Sequence, residues 1–329
     1  MSLNTAGSNK PLVRVEHLMV RFPVRGGHQF IRPVDDVSFV IGRGEVLALV
    51  GESGSGKTTI GRTLLRILEP SDGSISVDGH DVSHLRRRSL MAYRRQAQMI
   101  FQDPFASLNP VKTVENHLVF PIRKHRGGSR ESVDQLIDDL LFRVGLTPVA
   151  ETRTKFPHEL SGGQRQRLAI ARALAVQPIF LVADEPISML DVSIRAGILQ
   201  LLNELKKDFQ LSFLYVTHDL ASARYFGDRI MVMYAGKIME CAPSRELIRN
   251  PLHPYTKLLL AATPGSASRH KLPEKDNQPP DLNESRVGCP FAPRCLSASK
   301  ECMLAMPPMQ EVAAERTVAC YHPDAVTVP

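Results

Sequence analysis

The feature that most constrains this chain is the run at residues 51–58, Gly-Glu-Ser-Gly-Ser-Gly-Lys-Thr, which fits the phosphate-loop pattern G-x-x-x-x-G-K-[ST]. An apolar run at 46–50 precedes it and has the length of a buried strand. After the loop, apolar residues recur at helical spacing as far as Leu68, and Pro70 is expected to end that helix. The pattern therefore predicts a strand, a phosphate-binding loop and a helix in succession.

The residue types of this loop suit the phosphates of a nucleotide. Glycines let backbone N–H groups converge on phosphate oxygens, and the following helix directs its positive end towards them. Lys57 is expected to reach the β- and γ-phosphates, and the hydroxyl of Thr58 is expected to bind Mg²⁺. The sequence thus predicts a nucleotide site that works with Mg²⁺.

A second group of candidate residues follows another apolar strand. Residues 179–183 read as a parallel strand buried on both faces, and Asp184 and Glu185 come directly after it. At that strand end Asp184 is suited to bind Mg²⁺, and Glu185 is suited to polarise an attacking water as general base. Further helical and strand patterns alternate, at 194–209, 213–216 and 229–234. This alternation predicts an α/β core with a parallel sheet.

Length and composition exclude several classes of protein. The 329 residues suggest about two domains, and 43% hydrophobic with 23% charged residues excludes a mainly disordered or collagen-like chain. No apolar run approaches the roughly 18 residues of a membrane-spanning helix, and residues 1–5 lack a signal-peptide pattern. These features predict a cytoplasmic protein that would act on a membrane only from outside it.

The net charge of +7 is compatible with nucleic acid, anionic lipid or a nucleotide as ligand. Much of the excess lies in two clusters, Arg86, Arg87, Arg88, Arg94, Arg95 and Arg123, Lys124, Arg126, Arg130. For either cluster alone, a solvated charged surface is the favoured interpretation.

Residues 160–164, Leu-Ser-Gly-Gly-Gln, match the signature of the ATP-binding cassette (ABC) ATPases, and the chain resembles this family from residue 11 to about 265. The resemblance implies that Phe22 stacks on adenine, that Gln102 contacts Mg²⁺ and the attacking water, and that His218 senses the γ-phosphate. Residues 188–191, Ser-Met-Leu-Asp, resemble the D-loop, where Met189 departs from the usual alanine.

Together these observations define the candidate site. The catalytic residues are Glu185, His218 and Gln102, and the Mg²⁺ ligands are Thr58, Gln102 and Asp184. The nucleotide-binding residues are Phe22, Gly51, Glu52, Ser53, Gly54, Ser55, Gly56, Lys57, Thr58, Thr59, Gln102, Ser161, Gly162, Gly163, Gln164, Asp184 and Asp191. In the family, two domains dimerise head to tail, and the signature of one completes the ATP site of the other.

The resemblance also implies an architecture: a P-loop ABC cassette with a RecA-like core, an antiparallel β subdomain and an α-helical signature subdomain. On this basis, residues 1–260 are expected to form the nucleotide-binding domain, with its helical subdomain at about 105–165. Residues 262–290 are rich in Pro, Ser, Asn and Lys, typical of a linker. A small cysteine-bearing extension is expected at 261–329.

Within the family, the chain is most similar to the ATPases of oligopeptide, dipeptide and nickel importers. The stretches that carry this likeness are 101–110, 233–236, 250–256, the loop at 25–32 and the cysteine-bearing tail. The likeness implies the F-type second ATPase of a pair, bound under two membrane permeases that an extracytoplasmic solute-binding protein supplies. It implies a peripheral position on the cytoplasmic face of the inner membrane, and coupling to the permeases through residues 102–109.

Two other functions are weighed against ATP-driven import of peptides or nickel. One is an ABC ATPase acting on nucleic acid or the ribosome, which the basic charge allows. Such proteins usually carry tandem cassettes, long coiled coils or zinc inserts, and the sequence shows none of these. The other is a scaffold that binds ATP without hydrolysis. The presence of Glu185 and His218 argues against it.

Cys289, Cys295, Cys302 and Cys320 have the spacing C-x5-C-x6-C-x17-C, and in a cytosolic chain clustered cysteines indicate metal rather than disulfides. Four thiolates suit Zn²⁺ or a [4Fe–4S] cluster; the lack of short C-x2-C pairs, and the resemblance, favour iron–sulfur. Four reduced cysteines in a flexible arm remain the alternative. Cys241 is predicted to be a buried structural thiol. Because the tail is far in sequence from every ATP motif, its predicted role is structural.

Overall fold

The computed structural model describes residues 10–24, 29–262, 282 and 287–323. Three regions named above therefore fall wholly or largely outside the described residues: the N-terminal residues 1–5, part of the loop at 25–32, and most of the linker at 262–290. The chain divides into two compact units, here called unit 1 (Met1–His84 and Tyr215–Pro329) and unit 2 (Leu85–Leu214).

The strands follow one another in this order: β1 (Val13–Pro23), β2 (Phe30–Ile41), β3 (Val46–Val50), β4 (Asp72–Val77), β5 (His80–Asp81), β6 (Ala97–Ile100), β7 (Phe180–Asp184), β8 (Ser212–Thr217), β9 (Arg229–Tyr234), β10 (Lys237–Pro243), β11 (Gln310–Ala313) and β12 (Arg316–Val318). The division between the units falls within β8.

The helices are α1 (Lys57–Leu64), α2 (Arg87–Gln96), α3 (Pro104–Ser107), α4 (Val114–His125), α5 (Arg130–Arg143), α6 (Val149–Thr154), α7 (Gly162–Leu174), α8 (Val192–Phe209), α9 (Leu220–Phe226), α10 (Ser244–Arg249), α11 (Pro254–Ala261) and α12 (Lys300–Leu304). None of the helices among the described residues combines the length and the apolar character that crossing a membrane requires.

Unit 1 contains two sheets. The first is antiparallel in the order β2-β1-β4-β5. In the second, the order is β11-β12-β10-β9-β3, and β3 runs parallel to β9 while β10 and β12 pair antiparallel. Every residue of β3 is fully buried, as its uninterrupted Val, Leu and Ala sequence predicts for a strand covered on both faces. The sheet places the phosphate loop at the end of β3.

Unit 2 combines a parallel strand pair with a largely helical segment. β6 pairs with β7 in parallel register, and all five residues of β7 are buried. Helices α3 to α6 lie between these strands in sequence. Helix α8 buries one apolar face through Ile198, Leu202 and Leu205, and it ends where Gln210 adopts a left-handed conformation.

The predicted α/β core is confirmed, but the helix after the phosphate loop is shorter than the spacing predicts. Helix α1 ends at Leu64 rather than near Pro70. The reason is a left-handed turn at Arg66, with φ of 54°, which lets the N–H of Ile67 donate back to the carbonyl of Arg62. Leu68 therefore continues the apolar pattern without being helical.

Candidate functional site

The phosphate loop of unit 1 surrounds the ammonium of Lys57. Lys57 is only 4% exposed, and its Nζ donates to the carbonyls of Gly51 (2.8 Å) and Glu52 (2.7 Å). Thr58 and Thr59 are half-buried at the start of α1, whose first turn contains no acidic residue. A helix N-terminus without nearby carboxylates in its first turn favours an anion, so this loop has the electrostatics that the sequence predicts.

Two glycines of the loop are required by the close approach of other backbone segments. A Cβ on Gly51 would lie 2.1 Å from the carbonyl oxygen of Met233, and one on Gly56 would lie 1.8 Å from that of Pro33. Gly56 also has a φ of 107°, a conformation that disfavours every L side chain. The turn between β9 and β10 contacts the loop, because the N–H of Gly236 donates to the carbonyl of Ser55 (2.9 Å).

Unit 2 brings together two of the predicted catalytic residues. The Nε2 of Gln102 donates to Oε2 of Glu185 at 3.1 Å. Glu185 follows β7 in a left-handed conformation, with φ of 45°, and strain of this kind concentrates at functional sites. Its carbonyl accepts from both the N–H and the hydroxyl of Ser188, at 3.2 and 3.0 Å. Asp184, the last residue of β7, is 4% exposed. The pair Gln102 and Glu185 is thus preorganised within this unit.

The signature residues 161–164 form the beginning of α7 in unit 2. The hydroxyl of Ser161 accepts from the N–H of Gln164 (3.3 Å), while the side chain of Gln164 accepts from the N–H of Ser161 (2.9 Å). This reciprocal capping box fixes the first turn. A Cβ on Gly163 would lie 2.8 Å from Cγ2 of Ile194, so the glycine permits close packing of α7 on α8. The helix start is therefore rigid and rich in N–H groups.

Three further residues were predicted to belong to the site. Phe22 is half-buried near the end of β1 in unit 1, where it pairs with Ile31 of β2. His218, also in unit 1, is exposed directly after β8. Asp191 of unit 2 is exposed and precedes α8 without a side-chain capping bond. The roles of these three residues stay predictions.

The four tail cysteines line one cavity in unit 1, together with His253, His322 and Phe291. Burial and the neighbouring thiols raise the pKa of Cys289 to about 11, and burial also raises the pKa of Cys295 and of Cys320. Across the described residues, no three or more His, Cys, Asp or Glu side chains are arranged to hold a metal ion. Cys241 lines no part of this cavity; it is buried, as predicted, with its Sγ 3.4 Å from Nη2 of Arg229.

Sequence reasoning included Glu52 in the phosphate loop but missed the contacts that join it to Arg294 and Tyr255. Arg294, one residue before Cys295, pairs with the carboxylate of Glu52, and the N–H of Glu52 donates to the hydroxyl of Tyr255 (2.9 Å). The tail thus contacts an ATP motif that is far from it in sequence, and its structural role stays a prediction. The two residues of the ion pair are 242 positions apart, so no local pattern predicts their contact. The sequence shows only that each segment contains a residue of opposite charge.

Comparison with known proteins agrees with this geometry. Residues 34–188 match the family model "ABC transporter", and residues 239–302 match "Oligopeptide/dipeptide transporter, C-terminal region". The oligopeptide transport ATP-binding protein AppF of Bacillus subtilis is 42% identical over 328 residues, covering 96% of this chain and 99% of that protein.

Solved structures show the same fold. CbiO1 of Clostridium perfringens, part of the ABC transporter complex CbiONQ, is 28% identical with a TM-score of 0.65, over 73% of this chain and 91% of that one. The ATP-binding cassette MJ0796, a dimer bound to ADP and Pi in a post-hydrolysis state, is 31% identical with a TM-score of 0.64, over 71% and 99%. The phosphate loop, the signature helix and near-complete alignment with AppF lead to one conclusion: this chain belongs to the ABC transporter ATPases and carries the C-terminal region of their oligopeptide/dipeptide branch.

Proposed function

We propose that this chain is the ATP-hydrolysing subunit of an ABC transporter that imports peptides. The observation that carries the proposal is the oligopeptide/dipeptide C-terminal region at 239–302, joined in one chain to the ABC cassette. The likeness to AppF, an oligopeptide transport protein by name, supports the same substrate class. We further propose that 1–260 form the nucleotide-binding domain, with a helical subdomain at about 105–165, and that 261–329 form the extension.

Each residue of the site would have its own role in ATP hydrolysis. Lys57 would exchange the loop carbonyls that it contacts for the β- and γ-phosphate oxygens of ATP. Glu185 would accept a proton from the attacking water, and Gln102, hydrogen-bonded to that carboxylate, would orient both. His218 would contact the γ-phosphate, and Phe22 would stack on adenine, as the family resemblance implies.

We propose that Thr58, Asp184 and Gln102 hold Mg²⁺, the ligand set that the family resemblance implies. The hydroxyl of Thr58, the carboxylate of Asp184 and the amide of Gln102 offer the oxygen atoms that Mg²⁺ prefers. When bound with ATP, the ion supplies charge neutralisation on the phosphates. The chain's own part is to fix these ligands: Thr58 at the start of α1 and Asp184 at the buried end of β7.

The signature turn would act on the ATP of a second ATPase subunit. Its support is the capped start of α7, a 13-residue helix whose N-terminal N–H groups favour a phosphate. Asp191 would contribute from the D-loop. We propose a heterodimer of two such ATPases, attached to two transmembrane permeases at the cytoplasmic face of the inner membrane and served by an extracytoplasmic binding protein.

Coupling to the permeases is testable at Phe105 in the segment 102–109. Phe105 is 57% exposed beneath the guanidinium of Arg165, 4.0 Å from the ring centroid, whereas Leu108 is buried and unsuited to surface mutagenesis. Phe105→Ala is expected to lower ATP-driven uptake of a labelled oligopeptide about tenfold, as loss of an interface aromatic does, while ATP hydrolysis by the isolated subunit is unchanged. Uptake is measured in proteoliposomes that hold the complete transporter.

The matched control is Phe142→Ala, because Phe142 is a phenylalanine of the same unit outside the segment and is also largely exposed, at 69%. Equal loss of uptake and basal hydrolysis in Phe105→Ala would contradict coupling through this segment. Failure of the wild-type complex to take up peptide with ATP would overturn the peptide substrate class.

We also propose that the four tail cysteines bind a [4Fe–4S] cluster rather than one Zn²⁺. What supports this is that the four thiols line one cavity, and that the family resemblance favours iron–sulfur. Four cysteines are the usual ligand set of such a cluster, in which each thiolate binds its own iron. Deprotonation of buried, high-pKa thiols would couple cluster binding to pH and to folding of the tail.

Anaerobically purified protein is therefore expected to be brown and to contain about four iron atoms per chain. Cys302→Ser is expected to lose most of the iron, whereas Cys241→Ala, which changes a buried thiol outside the cavity, is expected to retain it. Iron and zinc are measured by elemental analysis. Colourless protein with zinc would contradict the iron assignment, and protein with neither metal would contradict the site.

A further inference from the structure

The C-terminal segment 287–323 reaches the phosphate loop through one ion pair. Nη1 of Arg294 lies 3.1 Å from Oε1 and 2.9 Å from Oε2 of Glu52, the second residue of the loop. The two side chains are 19% and 30% exposed. Both residues belong to unit 1, so the contact is internal to that unit.

An aromatic cluster holds both partners of this pair. Arg294 donates to the hydroxyl of Tyr234 (3.2 Å), and the hydroxyl of Tyr255 accepts from the N–H of Glu52 (2.9 Å). Phe291, three residues before Arg294, packs its ring at 5.5, 5.3 and 5.9 Å from the rings of Tyr234, Tyr255 and His253. The 3-10 turn Ala292–Arg294 then directs the guanidinium to the loop. The segment is thereby fixed against the loop by packing as well as charge.

The negative charge of Glu52 would repel the phosphates of ATP, the polyanion that the loop is proposed to bind. Its carboxylate is only partly exposed, so solvent and salt screen its repulsion of the ATP phosphates incompletely. The carbonyl of the same residue accepts from Lys57, a contact that the ATP phosphates would replace. Neutralising the Glu52 carboxylate therefore favours ATP binding.

We propose that Arg294 is a positioning residue of the ATP site: the C-terminal segment supplies the charge that neutralises Glu52 and keeps the phosphate loop able to bind ATP. The inference rests on the proposed ATP-binding role of residues 51–59. It assigns to the cysteine-bearing extension a direct part in nucleotide affinity.

The test is a double-mutant cycle in the full-length protein. Arg294→Gln is expected to raise the KM for ATP, and the Kd for a fluorescent ATP analogue, about tenfold with kcat within about twofold. In the Glu52→Gln background, the same change is expected to shift either constant less than about twofold, because no carboxylate remains to be neutralised. Arg294→Lys, which keeps the charge, is expected to stay within about threefold of wild type.

Arg316→Gln is the matched control, since Arg316 is a similarly buried arginine of the same segment that contacts Glu240 and the carbonyl of Asn250 rather than the loop. It is expected to lower the unfolding midpoint without raising the KM. Equal KM values for Arg294→Gln and wild type, or an undiminished effect in the Glu52→Gln background, would overturn the inference. Wild-type protein that does not bind the analogue would overturn the ATP-binding role as well, and loss of peptide uptake alone would affect only the import proposal.

Discussion

Replacing Glu185 by Gln is expected to lower ATP turnover at least about a hundredfold, the lower end of what a general base contributes, and to leave ATP affinity within about twofold. Glutamine has the same shape, and its carbonyl can still accept from Nε2 of Gln102. The substitution therefore removes the proton acceptor while preserving the geometry after β7. Turnover is measured by phosphate release, and affinity by equilibrium binding of ATP.

A second consequence is an ATP-bound dimer that persists, visible as a larger species in size-exclusion chromatography with ATP. The matched control is Glu204→Gln, which changes an exposed carboxylate on α8 that accepts a hydrogen bond from Gln200. Its turnover is expected to stay within about twofold of wild type. Hydrolysis by Glu185→Gln at a rate near that of wild type would show that another group takes the proton.

Gly56→Ala is expected to reduce the free energy of unfolding by at least about 3 kcal/mol. Two costs combine at this position: the residue has a φ of 107°, and its new Cβ would lie 1.8 Å from the carbonyl oxygen of Pro33 and 2.8 Å from Cε of Met233. The methionine end can move, but the carbonyl belongs to β2 and cannot move without disturbing that strand. Urea unfolding measures the loss.

Gly54→Ala separates the two costs, because Gly54 has a similar left-handed φ of 77° but no atom within 4 Å of the added Cβ. It is expected to lose only about 1 kcal/mol, the cost of backbone strain. If both variants lose the same free energy of unfolding, the close approach of Pro33 does not contribute to the loss. The glycine at position 56 would then be needed only for its dihedral angles.

Much of the site was predictable because its motifs are contiguous. Strand β3, the loop and α1 follow one another within 19 residues, from Val46 to Leu64, so local patterning predicts all three. The capping box at Ser161 likewise involves residues three apart, which a single sequence can display. These features depend on interactions between residues that are close together in the sequence.

The rest depends on contacts between distant segments. The need for glycine at position 56 exists because Pro33 approaches it, and the charge of Glu52 is balanced by a residue 242 positions away. The early end of α1 has a different cause, since Arg66 adopts a left-handed conformation that its residue type does not favour. Neither periodicity nor motif spacing contains such information.

The discontinuity of unit 1 affects how the protein is made. Strand β3 pairs with β9, so the phosphate loop lacks this neighbouring strand until Arg229–Tyr234 has been synthesised. At about 5–20 residues per second, that interval is roughly 10 to 35 s. Unit 2, residues 85–214, is contiguous and can complete its own contacts on the ribosome during this time. If Arg294 neutralises Glu52 as proposed, the nascent chain is expected to reach its full affinity for ATP only after residue 294 has been synthesised.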